Sequence, residues 1–367
     1  MSASGGDGAP EGGTALARRF PALAARLPRV PLTMLPTPVE RLAGLETGAA
    51  GIWVKRDDRT AALYGGNKPR KLELVLGAAR ARGARSVLTF GAFGTHHGLA
   101  TTVFARAAGL RTILVLVPQP VTAAVRQTLL LTHAFGAELH RARGPAGAAA
   151  TALALLARGA AAGARPFVVP AGGSSVAGTL GFVDAGLELA EQVRAGALPA
   201  PDAVFAPLGT GGTVAGLALG LRLGDLATPV VGVLVTDILP PSRARVLGLA
   251  RRALARMRRL DPAVPALALD DAGLAVDTRF VGPGYGVPTP AALRARDLLA
   301  AHGNVALETT YTAKALAALL VHAETPAGRG RRLLFWNTYA GRLPPPPGGE
   351  LPHPAELPRA FASVFTA

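Results

Sequence analysis

The sequence predicts an α/β fold in which parallel strands are covered by helices on both faces. Short, nearly continuous apolar runs alternate with helical stretches, as expected for parallel strands buried on both sides. The runs are Ile52–Lys55, Val87–Phe90, Ile113–Val117, Phe167–Val169, Ala203–Phe205, Val230–Val235 and Leu333–Trp336. Open sheets of this kind bind ligands beyond the carboxyl ends of their strands, so the loops after these runs are where a site is expected.

Length and composition narrow the class of protein. The chain has 367 residues, half of them hydrophobic, which is enough for about two domains with a large core. The formal net charge is +16, but it comes from 35 arginines and four lysines spread along a chain with few aromatic residues. A nucleic-acid site would cluster its basic residues, so we expect no nucleic-acid partner. Without cysteine there is no disulfide or thiolate metal site.

The ends of the chain carry no chemistry that the sequence reveals. Met1–Thr14 lacks the apolar core of a secretory signal, so we expect a disordered tail and a cytoplasmic protein. The alanine-rich run Ala146–Ala157 is shorter than the ~20 apolar residues of a membrane-spanning helix, so no membrane partner is expected. The proline-punctuated Ala15–Leu45 should form an extended arm. The segment from Leu343, with its proline run, should lie extended on the surface.

One stretch, Gly65–Glu73, reads Gly-Gly-Asn-Lys-Pro-Arg-Lys-Leu-Glu and places a lysine at a loop-to-helix corner. Two glycines allow backbone conformations closed to other residues, and Pro69 suits the first turn of a helix. Lys68 should therefore sit where the helix begins. By itself, this pattern is equally compatible with a catalytic lysine and with an ordinary helix turn carrying a solvated lysine.

A second stretch, Gly209-Thr210-Gly211-Gly212-Thr213, follows the Ala203–Phe205 strand and precedes an apolar helix over Val214–Leu223. Glycines let successive N–H groups surround an anion, and the helix N-terminus favours negative charge. The stretch therefore fits a phosphate cup, although a tightly packed strand-to-helix turn has the same pattern. It is not a P-loop, and Val214 stands where a dinucleotide fingerprint has its third glycine.

The loop Gly91–Gly98 leads from a strand into a helix and contains Thr95, His96 and His97. Thr95 can cap the helix, and a donor-rich helix start suits the carboxylate of an amino acid. A plain cap with exposed histidines is the alternative. Adjacent histidines do not share a helix face, so we expect no metal site here.

Together these stretches resemble the D-cysteine desulfhydrase and 1-aminocyclopropane-1-carboxylate deaminase family of pyridoxal-phosphate enzymes. The resemblance runs from about Pro28 to Thr338. Besides the stretches above, it includes Lys55-Arg56-Asp57-Asp58, Ala171–Phe182 and Gly282–Pro288. It implies the tryptophan-synthase β-like fold (fold type II), with two open, twisted, parallel-rich sheets flanked by helices. It also implies a tail (1–14), a larger cofactor-binding domain (15–72 and 170–367) and a smaller inserted domain (73–169) that contributes the substrate-side loop.

The resemblance also implies roles for individual residues. Lys68 would hold pyridoxal 5'-phosphate covalently as a Schiff base, with Asn67 beside it, and the cup Gly209, Thr210, Gly211, Gly212 and Thr213 would hold the cofactor phosphate. The Thr338 hydroxyl would meet the pyridine nitrogen, and Tyr311 would be a catalytic tyrosine beside the cofactor.

The departures from the family pattern lie on the substrate side. Thr95 replaces a serine that handles substrate, and His96 replaces an asparagine near the cofactor's phenolate oxygen. Trp336-Asn337-Thr338-Tyr339-Ala340 replaces a His-Thr-Gly-Gly pattern and is expected to add two aromatic residues to the pocket. We expect the substrate-side residues to be Thr95, His96, His97, Tyr285 and Tyr339.

The implied function is a pyridoxal-phosphate lyase or deaminase that acts on a small amino acid, commonly as a homodimer. D-cysteine, giving sulfide, a keto acid and ammonia, is the first substrate to expect, and ring-opening deamination is the second. One alternative is a cofactor-binding relative with lost or altered catalysis, suggested by His96 and the altered loop after Trp336. A weaker alternative is a nicotinamide-dependent dehydrogenase, suggested by the glycine cup and by Asp237 after a strand.

Overall fold

The computed structural model describes residues 13–45, 48–269, 273–302 and 305–366. Of the predicted tail Met1–Thr14, residues 1–12 lie outside the described residues. Thr14 is ordered as the cap of the first helix, since its hydroxyl accepts a hydrogen bond from the Ala17 N–H. Across the described ranges, no helix is long and apolar enough to cross a membrane, and no cluster of three carboxylates or imidazoles could hold a metal ion.

The strands occur where the apolar runs predict them, with three additional short strands. Those three, β1, β5 and β9, are too short or too polar to show the apolar signal. The strands of the described residues are β1 (Val39–Arg41), β2 (Gly51–Arg56), β3 (Ser86–Ala92), β4 (Arg111–Val117), β5 (Glu138–Arg141), β6 (Phe167–Val168), β7 (Ala203–Leu208), β8 (Val230–Leu234), β9 (Leu274–Asp277) and β10 (Arg332–Asn337).

Two open sheets result, which confirms the predicted fold class. The larger sheet has the order β1-β2-β10-β7-β8-β9 and the smaller β5-β4-β3-β6. Every pairing is parallel except that of β1 with β2. All strands of the smaller sheet fall between residues 86 and 168. The boundaries of the inserted domain at 73 and 169 stay a prediction.

Helices cover both sheets, and their ends carry the candidate site. They are α1 (Ala15–Arg19), α2 (Pro21–Ala25), α3 (Lys68–Ala81), α4 (His96–Ala107), α5 (Ala123–Ala134), α6 (Pro145–Ala161), α7 (Val176–Arg194), α8 (Gly212–Leu223), α9 (Arg243–Leu260), α10 (Pro290–His302) and α11 (Thr312–Glu324). Three of them, α3, α4 and α8, begin at the lysine, histidine and glycine-cup motifs.

Two predictions about the periphery were wrong. The expected extended arm Ala15–Leu45 contains the short helices α1 and α2 and the strand β1. The segment after Leu343 does not simply lie on the surface, because it forms 3-10 turns that bury Phe361 and Val364. Phe361 packs edge-on against Phe93, with the ring centroids 5.7 Å apart. The turns follow the proline run, and burial of these apolar side chains stabilises them.

A buried ionic network holds the corner that carries Lys68. The Arg70 guanidinium bonds both Asp57 and Glu188, with its shortest contacts to each at 2.9 Å. Glu188 also accepts a 2.5 Å bond from Lys55, and Asp57 accepts a 2.7 Å bond from the indole N–H of Trp336. Burial would raise the pKa of Glu188, but the two cations outweigh it and lower that pKa to about 2. These ion pairs and hydrogen bonds therefore connect α3, α7 and β10.

Candidate active site

Lys68 is the first residue of α3, as the sequence predicts, and Pro69 lies in the first helical turn. Gly66 has φ +85°, in the left-handed region that favours glycine. A Cβ atom there would stand 2.9 Å from the Thr338 carbonyl oxygen. The corner thus fits only because Gly66 lets the backbone of the lysine loop approach the segment that follows β10.

Asn67 connects Lys68 to the glycine cup. Its Oδ1 accepts a 2.6 Å hydrogen bond from the Lys68 Nζ, and its Nδ2 donates to the Thr213 Oγ1 at 3.2 Å. The Asn67 backbone N–H donates to the Thr338 carbonyl at 3.1 Å. One residue therefore joins the lysine, the cup and the end of β10, three parts of the chain that the sequence separates by more than 100 residues.

The Lys68 amine is prepared for chemistry by its surroundings. Burial lowers its pKa from 10.5 to about 8, although the Glu308 carboxylate acts in the opposite direction. A larger fraction of the amine is therefore neutral near physiological pH, as a nucleophile or base requires. Glu308 itself caps α11 by accepting hydrogen bonds from the backbone N–H groups of Thr310, Tyr311 and Thr312.

The glycine cup lies between β7 and α8. Gly211 has φ +95°, and α8 begins at Gly212, so the turn presents the helix N-terminus at the end of the strand. The Gly212 N–H donates to the Ser174 Oγ, which is also 2.6 Å from the exposed Thr210 Oγ1. Arg245 and Arg252 line a cleft beside Thr210 and Ser174. The cup is thus a polar, positively charged turn that suits a phosphate group.

Lys71, which the sequence places three residues after Lys68, adds a second buried amine. Its Nζ donates to the Gly172 carbonyl at 3.1 Å and lies 5.7 Å from the centre of the Phe182 ring. Burial, followed by the charge of Lys68, lowers the pKa of Lys71 well below 10.5. The charge of Lys68 therefore disfavours the charged form of Lys71, and an anion bound beside Lys71 would favour that form.

The loop before α4 places its three polar residues in different surroundings. Thr95 caps α4, as predicted, by accepting a 3.1 Å hydrogen bond from the Gly98 N–H. His96 is partly buried, bonds the Tyr64 hydroxyl through Nδ1, and lies edge-on to Tyr339 with ring centroids 5.5 Å apart. Burial and the Lys68 charge lower the pKa of His96 to about 4.

The His97 ring is buried against β3, and its expected place on the substrate side stays a prediction. Its side chain is only 5 % exposed and its Nε2 lies 2.9 Å from the Thr89 hydroxyl on β3 of the smaller sheet. Successive residues at the start of a helix point about 100° apart, so His97 turns inward where His96 turns to Tyr64. Among the residues that the structure describes, the Nδ1 of His97 has no hydrogen-bond partner.

Two tyrosines far apart in the sequence form a pair. The hydroxyls of Tyr285 and Tyr311 are 2.6 Å apart, and Tyr311 stands directly before α11. The Gly209 backbone faces the Tyr311 ring, since a Cβ on Gly209 would lie 3.4 Å from it. Burial raises the pKa of both phenols, so both stay protonated at neutral pH.

The segment at the end of β10 was expected to add two aromatic residues to the pocket, and it adds one. Thr338 is buried beside Asn67, and Tyr339 contacts His96. Trp336 does not enter the pocket, because its fully buried indole donates to Asp57 in the ionic network. In a parallel strand alternate side chains face opposite sides, which directs Trp336 into the core. Only one of the two expected aromatic residues is therefore next to a site residue.

These residues together fit pyridoxal phosphate. Lys68 supplies an amine of lowered pKa, the cup supplies N–H groups at a helix N-terminus, and Thr338 supplies a neutral hydroxyl close to the lysine loop. The model for the family of pyridoxal-phosphate dependent enzymes matches residues 30–338. The chain belongs to this family. The site residues named above fall inside that range, except Tyr339, which lies one residue beyond it.

Members of the family with known names and structures are similar over most of the chain. A nocardicin C-9' epimerase from Nocardia uniformis subsp. tsuyamanensis is 37% identical over 321 residues, covering 86% of this chain and 94% of that protein. A D-cysteine desulfhydrase from Salmonella paratyphi C is 34% identical over 301 residues, covering 80% and 88%. The crystal structure of a homologue of ACC deaminase superposes with a TM-score of 0.74 at 30% identity, covering 87% of this chain and 94% of that chain.

The comparisons confirm the resemblance, the fold type and the cofactor that the sequence predicts. They remove the basis for a nicotinamide-dependent dehydrogenase. Asp237, on which that alternative partly rested, accepts a 2.9 Å hydrogen bond from the Tyr285 N–H and holds the glycine-rich loop. The chain is therefore a pyridoxal-phosphate enzyme by family. Asp237 has a structural role in it, because it anchors the loop that contains Tyr285.

Sequence reasoning gave no site role to four residues that the structure places there: Tyr64, Lys71, Ser174 and Glu308. Tyr64 directly precedes the lysine loop, and Glu308 stands four residues before α11, where a carboxylate stabilises a helix N-terminus. Its position before a predicted helix could therefore have identified Glu308 as a capping residue. Nothing in the sequence indicates that Tyr64 would meet a histidine 32 residues away.

Proposed function

We propose that this protein is a lyase that eliminates a β-substituent from a small amino acid, giving a keto acid and ammonia. The observation that carries the proposal is the continuous contact from the Lys68 amine through Asn67 to Thr213 of the cup. It is supported by a D-cysteine desulfhydrase at 34% identity. Ring-opening deamination is the second elimination chemistry to test, because the similar solved structure is a homologue of ACC deaminase.

Each residue has a definite task in this proposal. The cup residues Gly209–Thr213 and Lys71 would bind the phosphate, and the Thr338 hydroxyl would bond the pyridine nitrogen. When bound, the cofactor withdraws electrons from the substrate and makes its α-hydrogen acidic. A neutral hydroxyl cannot hold the ring nitrogen protonated as a carboxylate would, which favours elimination over transamination.

The protein's own groups then move protons. The neutral Lys68 amine takes the α-proton, and the bond from Cβ to the leaving group breaks, so that cysteine would lose hydrosulfide. The Tyr311 phenol, held by Tyr285, donates a hydrogen bond to the departing group. Water hydrolyses the resulting enamine to the keto acid and ammonia. Thr95 and the N-terminus of α4 bind the substrate carboxylate.

Epimerisation is a second candidate, because the nocardicin epimerase is 37% identical over nearly its whole length. Both reactions begin with removal of the α-proton, and they differ in whether a bond at Cβ breaks. A panel of D- and L-amino acids incubated in D₂O separates them. Keto acid and ammonia indicate elimination, whereas recovered amino acid with deuterium at Cα and inverted configuration indicates epimerisation. If no substrate gives either product, the protein is better explained as a cofactor-binding relative without catalysis.

The lysine assignment has a direct test. Borohydride treatment of the cofactor-loaded protein should attach the cofactor to the peptide that contains Lys68, as read by mass spectrometry. Lys68→Ala should remove that label and all turnover, whereas Lys314→Arg, at a buried lysine of α11, should keep both. A label on any other lysine in the wild-type protein would refute the assignment.

A homodimer and a cytoplasmic location are part of the proposal and rest on the family resemblance. Sedimentation of the cofactor-loaded protein at micromolar concentration should give twice the mass of one chain, 37.2 kDa. A single-chain mass would contradict the dimer.

A further inference from the structure

Tyr64 and His96 form a hydrogen-bonded pair at the edge of the candidate site. Tyr64 ends the loop before Gly65, and His96 is the first residue of α4. The phenol oxygen of Tyr64 contacts the Nδ1 of His96. The Tyr64 side chain is 2 % exposed, so its hydroxyl cannot exchange this partner for bulk water.

The burial of Tyr64 determines which group donates. A buried hydroxyl hydrogen without an acceptor costs about 1–3 kcal/mol. Within the described part of the chain, the Tyr64 hydroxyl has one hydrogen-bond partner, the His96 Nδ1. The phenol hydrogen therefore points to Nδ1, and this is possible only if Nδ1 carries no hydrogen of its own.

The surroundings of His96 also keep its ring neutral. Burial and the charge of Lys68 lower its pKa to about 4, so the imidazole carries one hydrogen at neutral pH. If Nδ1 accepts from Tyr64, that hydrogen is on Nε2. The Tyr339 ring stands edge-on to the imidazole, with an interplanar angle of 83°, and limits rotation of the ring.

We propose that Tyr64 is a positioning residue that holds His96 in the Nε2–H form, so that His96 presents one N–H donor to an acceptor oxygen of the bound cofactor. This inference rests on the proposed function, because it assigns His96 the place that the family resemblance gives to an asparagine. An asparagine amide can present either its oxygen or its nitrogen. His96 with Tyr64 behind it presents only a donor.

The tautomer can be read directly in the protein. Long-range ¹H–¹⁵N spectra of protein labelled with ¹⁵N-histidine distinguish Nε2–H from Nδ1–H rings, and His96→Gln assigns the signal. We expect the Nε2–H pattern for His96 in both the cofactor-free and the cofactor-loaded protein. A wild-type spectrum with the Nδ1–H pattern would overturn the proposal, whatever any variant shows.

A pair of tyrosine variants separates positioning from packing. Tyr64→Phe keeps the ring but removes the donor to Nδ1, so the His96 signal should move toward a mixture of both tautomers, and the absorbance maximum of the bound cofactor should shift. Tyr339→Phe keeps the edge-on ring and leaves the Tyr64 bond intact, so it should leave the His96 tautomer unchanged. If Tyr64→Phe lowers the melting temperature but leaves the His96 tautomer unchanged, Tyr64 only packs.

The outcome is independent of the lyase assignment. If the wild-type protein binds no pyridoxal phosphate, the proposed function fails while the tautomer is still read in the cofactor-free protein. If turnover is found and His96 shows the Nδ1–H pattern, the lyase stands and the Tyr64 inference fails.

Discussion

Covalent capture of the cofactor by Lys68 should follow the protonation of a lysine with an unusually low pKa. Only the neutral amine attacks the cofactor aldehyde. With a pKa of about 8, close to one lysine in ten is neutral at pH 7. With the ordinary pKa of 10.5, about one lysine in 3,000 is neutral at pH 7. The environment of Lys68 therefore increases the neutral fraction of its amine roughly 300-fold at this pH.

The assay is stopped-flow mixing of cofactor-free protein with pyridoxal phosphate between pH 6 and pH 10, followed by absorbance. The rate should rise with pH and reach half of its maximum near pH 8. Glu308→Gln removes a charge that raises the pKa of Lys68, so the midpoint should move below that of the wild type. Glu324→Gln, at the exposed far end of α11, should leave it unchanged.

A midpoint near 10.5 in the wild-type protein would refute the argument from burial. A Glu308→Gln midpoint equal to or above the wild-type value would refute the role of that carboxylate. The Glu308 variant also loses part of the cap of α11, so its folding is checked by circular dichroism at each pH.

Three further predictions concern the scaffold of the site. Arg70→Met leaves Asp57 and Glu188 buried with one cation fewer, so the free energy of unfolding in urea should fall by about 3–5 kcal/mol. Gly66→Ala should lower both the melting temperature and the affinity for pyridoxal phosphate, because a Cβ there meets the Thr338 carbonyl. The unfolded chain protonates His96 near pH 6.5, whereas the folded site does so near pH 4, so the free energy of unfolding should decrease as pH falls through this range.

Matched variants make these predictions specific. Arg80→Met changes an exposed arginine of the same helix and should cost less than about 0.5 kcal/mol. Gly83→Ala introduces the same left-handed strain, φ +67°, in open space, so it should cost about 1–2 kcal/mol and leave cofactor affinity intact. His96→Gln should flatten the stability profile between pH 6.5 and pH 4. If a variant and its control change stability or cofactor affinity by the same amount, the contact proposed for that variant does not explain the effect.

Much of the fold could be predicted because its strands are buried on both faces. The apolar runs that produce β2, β3, β4, β7, β8 and β10 need no partner to be recognised, since burial in a parallel sheet demands continuous apolar character. The polar β5 and the short β1 and β9 gave no such signal. The buried C-terminal turns were missed because the apolar residues of this proline-rich segment follow no regular period, and the partner of Phe361, Phe93, is remote in sequence.

The sequence by itself determined the chemistry-bearing motifs of this protein: the lysine at the start of α3, the glycine cup before α8 and the capped loop before α4. These are local patterns, set by backbone freedom at glycine and by hydrogen bonding at helix ends. Only the tertiary structure decided what each side chain meets. It turned His97 and Trp336 into the core, joined Lys68 to Thr213 through Asn67 and paired Tyr64 with His96. Such contacts depend on how the two sheets pack, and burial then sets the charge state of each group.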